Sequence, residues 1–458
     1  MADYQLIIIG GGLSGIAAGI RATRFGLKTL LVEKHNKPGG LNSYYFRQGR
    51  LLESGLHAMT NFAVPGNKRA PLNQLFRQLK LSRKSFVTHE QYGSEIRFPG
   101  GSLFFSNDPE QLETHVREMF PGRIDRFIEL KKKIASFDPF TVGPWRSSRR
   151  FLREILMEEP LEEMLLLPLM VYGNAEEHDM ELSQFVIMFR SIFEEGFFRP
   201  AGTVRDFLAQ LVRRFQENGG EIRYNSEVAA LCTSGQRVDG VTLVGGKKIT
   251  ADKVISTMGM PATIERSGWN QSRQDYTGRM SFMETVSFLP QEAFTSIDAS
   301  RTILFFNRKN RFSYKRPSDF IDLSWGVICF PDNFQGVEKG EYGQVRVTCA
   351  ANYDLWKLSS PSSYKDKKAR WSAAVIENTE QLIGKYGASV VYQDSFSPLT
   401  IERFTAKAEG AVYGSPVKVK DGRTPWENLF IAGTDQGYLG IVGAMLSGVT
   451  MVNHHVLM

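Results

Sequence analysis

The chain has 458 residues, 42% of them hydrophobic and 23% charged, which is too long for one ordinary core and too balanced for a disordered or fibrous protein. Its 56 Lys and Arg against 49 Asp and Glu leave a net charge of +7, too small an excess to predict a nucleic-acid partner but compatible with an anionic membrane surface. Two large domains or three small ones are expected.

Leu6 to Ile9 is a short β-branched run bounded by glycine, the pattern of a strand buried on both faces of a parallel sheet. It runs into Gly10-Gly11-Gly12-Leu13-Ser14-Gly15, a helical stretch from Ile16 to Phe25 stopped by Gly26, and a second strand, Thr29 to Val32, that ends at Glu33. This is a β-α-β unit with a dinucleotide fingerprint. Gly10 makes the tight turn, Gly12 lets the backbone approach a pyrophosphate, and Gly15 lets the helix pack on the strand. The amides around Leu13 and Ser14, at the positive end of the helix, would face the phosphates. Glu33 is placed to accept hydrogen bonds from the ribose hydroxyls of the adenosine half.

The stretch that follows, Lys34 to Ser43 with Gly39-Gly40-Leu41 inside it, resembles the extended motif of the FAD-dependent superfamily of amine oxidases and phytoene desaturases. That motif passes from the acid to a paired glycine near the cofactor. The usual arginine after the glycines is replaced here by Leu41. Further on, Leu51-Leu52-Glu53-Ser54-Gly55-Leu56-His57 is similar to a segment that passes the flavin in carotenoid isomerase and retinol saturase-like members. The resemblance makes Glu53 and His57 the catalytic candidates.

An amphipathic helix is expected from Val204 to Asn218, stopped by Gly219-Gly220, followed by a strand at Glu221 to Tyr224. By the resemblance, Val228 touches the adenine. Val241 to Leu243 and Lys253 to Thr257 read as strands of a small meander. Near the C-terminus, Asn428 to Ala432 is a buried strand ending at Gly433, with Asp435 in the place of the family acid that meets the ribityl chain. Gly440, Ile441 and Val442 open a small-residue helix whose N-terminal amides would point at the flavin pyrimidine, where a helix dipole stabilises the negative charge of reduction.

The fold implied is an α/β protein with a Rossmann-type FAD-binding domain of the glutathione-reductase/amine-oxidase type and a discontinuous α+β substrate domain. Residues 1–60, 200–265 and 400–458 would form the FAD domain, and 61–199 with 266–399 the substrate domain. The first part of the latter is expected to be helical and the second strand-rich. Phe185, Phe189, Phe193 and Phe197 recur every four residues, a stripe that reads as core or, beside a flavin, as the wall of a tunnel for a long apolar substrate. Trp145 to Leu156 interleaves basic and large apolar residues, as interfacial helices do, and a membrane-associated part is expected near 145–198.

Cys232, Cys329 and Cys349 have no metal-ligand spacing and read as reduced packing residues; no metal is expected. The chain opens without a signal-peptide pattern, and its longest apolar run, Met164 to Gly173, is broken by Pro168 and is half of the ~20 residues a membrane span needs. A cytoplasmic protein is expected, with peripheral contact on the inner face of the membrane left open.

Within the superfamily the strongest resemblance is to the phytoene desaturase, carotenoid isomerase and retinol saturase group. It implies FAD as cofactor and hydride exchange between flavin N5 and an isoprenoid or carotenoid-type small molecule. Such catalysis needs orientation more than acid-base help. A flavin amine oxidase is the alternative. A prenyl-binding escort protein of the same fold is the remote one, because Gly15 and the glycines from Gly440 to Gly448 are intact here.

Overall fold

The computed structural model describes residues 2–55, 58–141 and 143–458. Its first sheet is built on five parallel strands in the order Glu221–Arg223, Thr29–Val32, Tyr4–Ile9, Lys248–Ser256 and Leu429–Ile431. Stretches far apart in the chain thus become hydrogen-bonded neighbours.

The first strand shows why these segments are apolar throughout. Leu6 and Ile8 point into a core shared with helices Leu13–Thr23, Val204–Glu217 and Gly440–Met451. Ile7 and Ile9 point to the other face, where the meander Val228–Ser234 and Arg237–Leu243 folds over the sheet. Two covered faces leave no solvent side on which a polar residue could alternate. Helix Val204–Glu217 starts on a capping box between Thr203 and Asp206, which satisfies two backbone donors at that end.

The second sheet runs Tyr392–Phe396, Ser281–Pro290, Tyr342–Ala351, Trp325–Cys329, Ile303–Asn307, Ser94–Phe98 and Gly101–Phe105. All neighbours are antiparallel except Ile303–Asn307 with Ser94–Phe98. The expectation of a helical 61–199 segment is corrected here, because two edge strands of this sheet come from that segment. The inner of the two, Ser94–Phe98, pairs with Ile303–Asn307, some 200 residues away, a relationship that local periodicity does not report.

One face of the second sheet, carrying Met283, Leu304, Ile328 and Val347, packs with helix Pro361–Ile383. The opposite face, carrying Phe282, Phe305, Trp325 and Val327, joins a helical layer that includes Glu159–Gly173 and Leu182–Phe189. The basic segment after Trp145 becomes helix Ser148–Leu156, capped by the Ser147 hydroxyl. Its Leu152, Ile155 and Leu156 are buried in that layer and its arginines lie outward or on acidic partners. Among the described residues no helix is long and apolar enough to cross a membrane.

Candidate active site

A cleft with about 2060 Å³ of empty space, its open mouth included, runs from the glycine turn of the first sheet to the inner face of the second. The glycine turn shapes its near end. A Cβ on Gly15 would lie 2.0 Å from the Gly10 carbonyl oxygen, whereas a Cβ on Gly12 would meet nothing within 4 Å. Gly15 is therefore the contact between helix and turn, and Gly12 is the bare backbone at the cavity.

Helix Leu13–Thr23 has no side-chain cap and no acid in its first turn. First-turn N–H groups of a helix have no partner inside it, and here they open on the cavity beside Leu13 and Ser14. The Ser14 hydroxyl is buried and has no hydrogen-bond partner among the described residues. Glu33 stands across the turn. Its Oε2 accepts the Gly11 N–H at 2.6 Å and its Oε1 the His35 N–H at 2.8 Å, which fixes the carboxylate at the cavity wall. The paired glycine docks on the same turn, with the Gly39 N–H donating to the Gly11 oxygen at 2.8 Å. Gly40, Leu41, Lys34 and Val228 line the cavity around it.

The C-terminal segment closes the opposite side. Gly433, Gly440 and Ile441 line the cavity, and the Gly433 N–H donates to Ser447 Oγ at 2.6 Å. Helix Gly440–Met451 also begins without a side-chain cap, while the Val442 side chain is buried in the core behind it. These features suit a dinucleotide: unsatisfied amides and an orphaned hydroxyl for phosphates, a fixed carboxylate for ribose hydroxyls, and a second helix N-terminus for an electron-rich ring. The residues present fit FAD.

Asp435 requires a correction. Its carboxylate is buried away from the main cavity, accepting N–H groups from Met260 at 2.6 Å and Ser415 at 3.0 Å, with Lys407 Nζ at 3.7 Å. Burial opposes its charge, but Lys407, Lys418 and the two amides outweigh that and hold the carboxyl below its usual range. It locks the strand end to two neighbouring loops, and Gly433 and Thr434 beside it are the residues that face the cavity. Lys407, which lines the cavity and donates to Thr434 Oγ1 at 2.9 Å, was not legible from any motif.

The far end of the cavity is a transverse row of the second sheet. Phe396, Glu284, Thr348 and Val327 stand opposite one another in register across four strands, and all four line the wall. Val171, Tyr172, Phe282, Val412 and Tyr413 complete it. Glu284 is held by Arg346, whose Nε donates to Oε1 at 2.6 Å; Arg346 is fully buried and its Nη2 donates to the Glu53 carbonyl at 2.8 Å. Burial pushes the Glu284 carboxyl above its usual range, against the pull of Arg346. The available signal for Glu284 was an acid among apolar residues of a strand; its place opposite Thr348 depends on register.

Two further expectations change. Glu53 does not face the cavity: Arg199 pairs with its Oε2 at 2.7 Å and the Val204 N–H donates to its Oε1 at 2.6 Å, so it anchors the start of helix Val204–Glu217. The four phenylalanines lie behind the wall. Phe185 and Phe189 are on helix Leu182–Phe189, Phe193 is on a π-helical turn, Arg190–Glu194, and Phe197 follows it. All four are core residues, and Phe197 packs on the cavity-lining Tyr172, 5.1 Å away between ring centroids. The other catalytic candidate, His57, lies outside the described residues.

The family described as flavin containing amine oxidoreductase matches residues 13–299. A lycopene-forming phytoene desaturase of Paracoccus sp. is 23% identical over 295 residues, 56% of this chain and 54% of that protein. The matched stretch thus spans about half the length of that relative. The all-trans-retinol 13,14-reductase of Danio rerio is 19% identical over 537 aligned positions, covering 98% of this chain and 85% of the reductase. The crystal structure of an oxidoreductase from Methanosarcina mazei superposes with a TM-score of 0.66 at 14% identity, covering 98% of this chain and 99% of that one, a likeness of fold. With the cofactor cradle described above, these matches place the chain in the flavin containing amine oxidoreductase family, with FAD as its cofactor.

Proposed function

We propose that this protein is a FAD-dependent oxidoreductase acting on a long, apolar, isoprenoid or carotenoid-type molecule by desaturation, saturation or isomerisation. The observation that carries the reading is the continuity of the cavity: the FAD cradle opens directly on a wall of Val171, Tyr172, Phe282, Val327, Phe396 and Tyr413. FAD, when bound, supplies hydride acceptance or donation.

The chain's own contribution is placement. The aromatic and aliphatic wall excludes water and fixes an apolar chain by contact area, at roughly 25 cal/mol per Å² buried. Holding the reacting carbon at a fixed position can account for much of such a rate. Among the described residues no cluster of metal ligands is present, and the reading needs none. The names of the Paracoccus and Danio rerio relatives, a polyene desaturase and a retinol reductase, favour the same substrate class.

A substrate of this kind dissolves in membranes. Peripheral contact is part of the proposal, supported by exposed Phe140, Trp145 and Met157 flanking the arginines of helix Ser148–Leu156. The test is to incubate the FAD-loaded protein with vesicles carrying phytoene or shorter polyenes and analyse the lipid by mass spectrometry and chromatography. Gain or loss of two hydrogens, or a changed double-bond isomer, supports the reading; unchanged polyenes together with oxidised amines would replace it with amine oxidation.

A further inference from the structure

Among the described residues, three cationic side chains line the cavity: Lys34, Arg266 and Lys407. Two of them lie with Glu33 and Val228. Lys34 follows Glu33 and directs its Nζ to the Arg403 carbonyl at 3.1 Å, an exposed contact, while Arg266 donates from Nε to the Val228 carbonyl at 2.8 Å and pairs with Glu227 and Glu265. Lys407 stands elsewhere. Its Nζ donates to Thr434 Oγ1 at 2.9 Å. Thr434 follows Gly433, where an added Cβ would come within 3.9 Å of the Ser14 Cβ. The ammonium is thereby set near the uncapped start of helix Leu13–Thr23 and the orphaned Ser14 hydroxyl.

An ammonium has three donors, and among the described residues Lys407 uses one of them, on Thr434. Asp435 pairs with it at 3.7 Å, beyond hydrogen-bond reach, and that carboxylate already accepts the Met260 and Ser415 amides. The Lys407 side chain is 13% exposed, so little water reaches the remaining donors. A buried ammonium is costly unless acceptors meet it, and an anionic oxygen meets it best. The glycine turn on the same wall offers neutral N–H and O–H groups, and Leu41 after the paired glycine brings no charge.

We infer that Lys407 is the cationic anchor of the FAD diphosphate, supplied from the loop after helix Pro398–Thr405 to a turn whose own donors are neutral. Lys407 therefore sets cofactor affinity, and does so through its charge. The inference rests on FAD as the cofactor and is independent of the substrate.

The experiment dilutes the FAD-loaded protein stepwise and reads the dissociation constant from the fluorescence of released flavin. An anaerobic spectrophotometric titration of the same protein gives its midpoint potential. Lys407→Met removes the charge and leaves Asp435 with one cation fewer. Lys407→Gln removes the charge but can still donate to Thr434, and it carries the test if the first variant does not fold. Both should bind FAD on the order of ten- to a hundredfold more weakly than the parent, with the midpoint potential unchanged. Lys407→Arg keeps the charge and should recover most of the loss.

FAD affinity within about twofold of the parent in the neutral variants overturns the inference. A loss of which Lys407→Arg recovers no part also overturns it, because Lys407 then serves the packing around Asp435. So does a lowered midpoint potential at full FAD loading, which would place the ammonium at the flavin ring. A parent protein that holds no FAD overturns the cofactor assignment and this inference with it.

Discussion

The Oε2 atom of Glu33 accepts the N–H of Gly11 at 2.6 Å, tying the acid at the end of the second strand to the glycine turn at the end of the first. The carboxylate is held in place by the protein alone, so its geometry is set before a cofactor arrives. Replacing it with alanine frees two backbone donors, since His35 also donates to it. Glu33→Ala should weaken FAD binding on the order of ten- to a hundredfold, as the loss of charge-assisted hydrogen bonds does. Flavin released on dialysis, read by absorbance, checks this; full retention would show that Glu33 serves the turn only.

Gly12 and Gly15 should separate folding from cofactor binding. At Gly12 the backbone is extended, φ −71° and ψ 173°, and a Cβ meets nothing within 4 Å. Gly12→Ala should therefore fold with a stability within about 0.5 kcal/mol of the parent and yet emerge depleted of FAD. At Gly15 the added carbon would press on the Gly10 carbonyl at 2.0 Å. Gly15→Ala should lose both FAD and about 1–3 kcal/mol of stability, read by chemical denaturation of the two variants side by side.

The β-α-β unit and the C-terminal glycine segment are readable in sequence because each is a local pattern: strand, turn, helix and strand follow one another within about 35 residues. The second sheet is not local. Its Ser94–Phe98 strand pairs with Ile303–Asn307, and nothing in either segment names the other. Glu284 and Arg346 are hidden for the same reason, since the cavity row exists only once Ser281–Pro290 and Tyr342–Ala351 take their register. Asp435 sits in the expected stretch, yet the amides of Met260 and Ser415 turn its side chain away from the cavity. The four-residue phenylalanine spacing marks a buried stripe, and periodicity cannot say whether a core or a ligand lies beyond it.

That stripe is testable as core. Phe189 is fully buried, with the Phe185 and Phe193 ring centroids 5.9 and 5.2 Å away. Phe189→Ala should cost about 3–5 kcal/mol of stability and leave the relative affinity for different polyenes unchanged. Phe396→Ala, on the cavity wall, should do the reverse: a smaller loss of stability and a changed preference among chain lengths. Denaturation midpoints and ligand titrations of the pair distinguish the two roles.

Glu195 predicts a pH dependence away from the cofactor. Burial pushes its carboxyl up to about 7, although Asn61 Nδ2 donates to it at 2.7 Å. Its ordinary value is 4.5, so between 4.5 and 7 the folded protein binds the proton more tightly than the unfolded chain does. The linkage therefore makes stability fall as pH rises through that window. The contribution is fully present below 4.5 and is lost above 7. Glu195→Gln keeps the contact with Asn61 without an ionisable group, and should flatten this part of the stability profile and stabilise the protein at pH 8 by about 1–3 kcal/mol. A parallel decline in parent and variant would contradict the assignment.

The central claim is that an FAD cradle opens on a wall built for an isoprenoid chain, and anaerobic flavin spectroscopy tests it most directly. The FAD-loaded protein, mixed without oxygen with vesicles carrying polyenes, should lose its yellow absorbance in proportion to polyene desaturated, regain it if first reduced in proportion to polyene saturated, or, for the redox-neutral isomerisation, keep its absorbance while chromatography shows a changed isomer. Simple amines should leave the spectrum unchanged. Bleaching by amines with no response to any polyene would contradict the account, and a purified protein that never holds flavin would contradict it at its base.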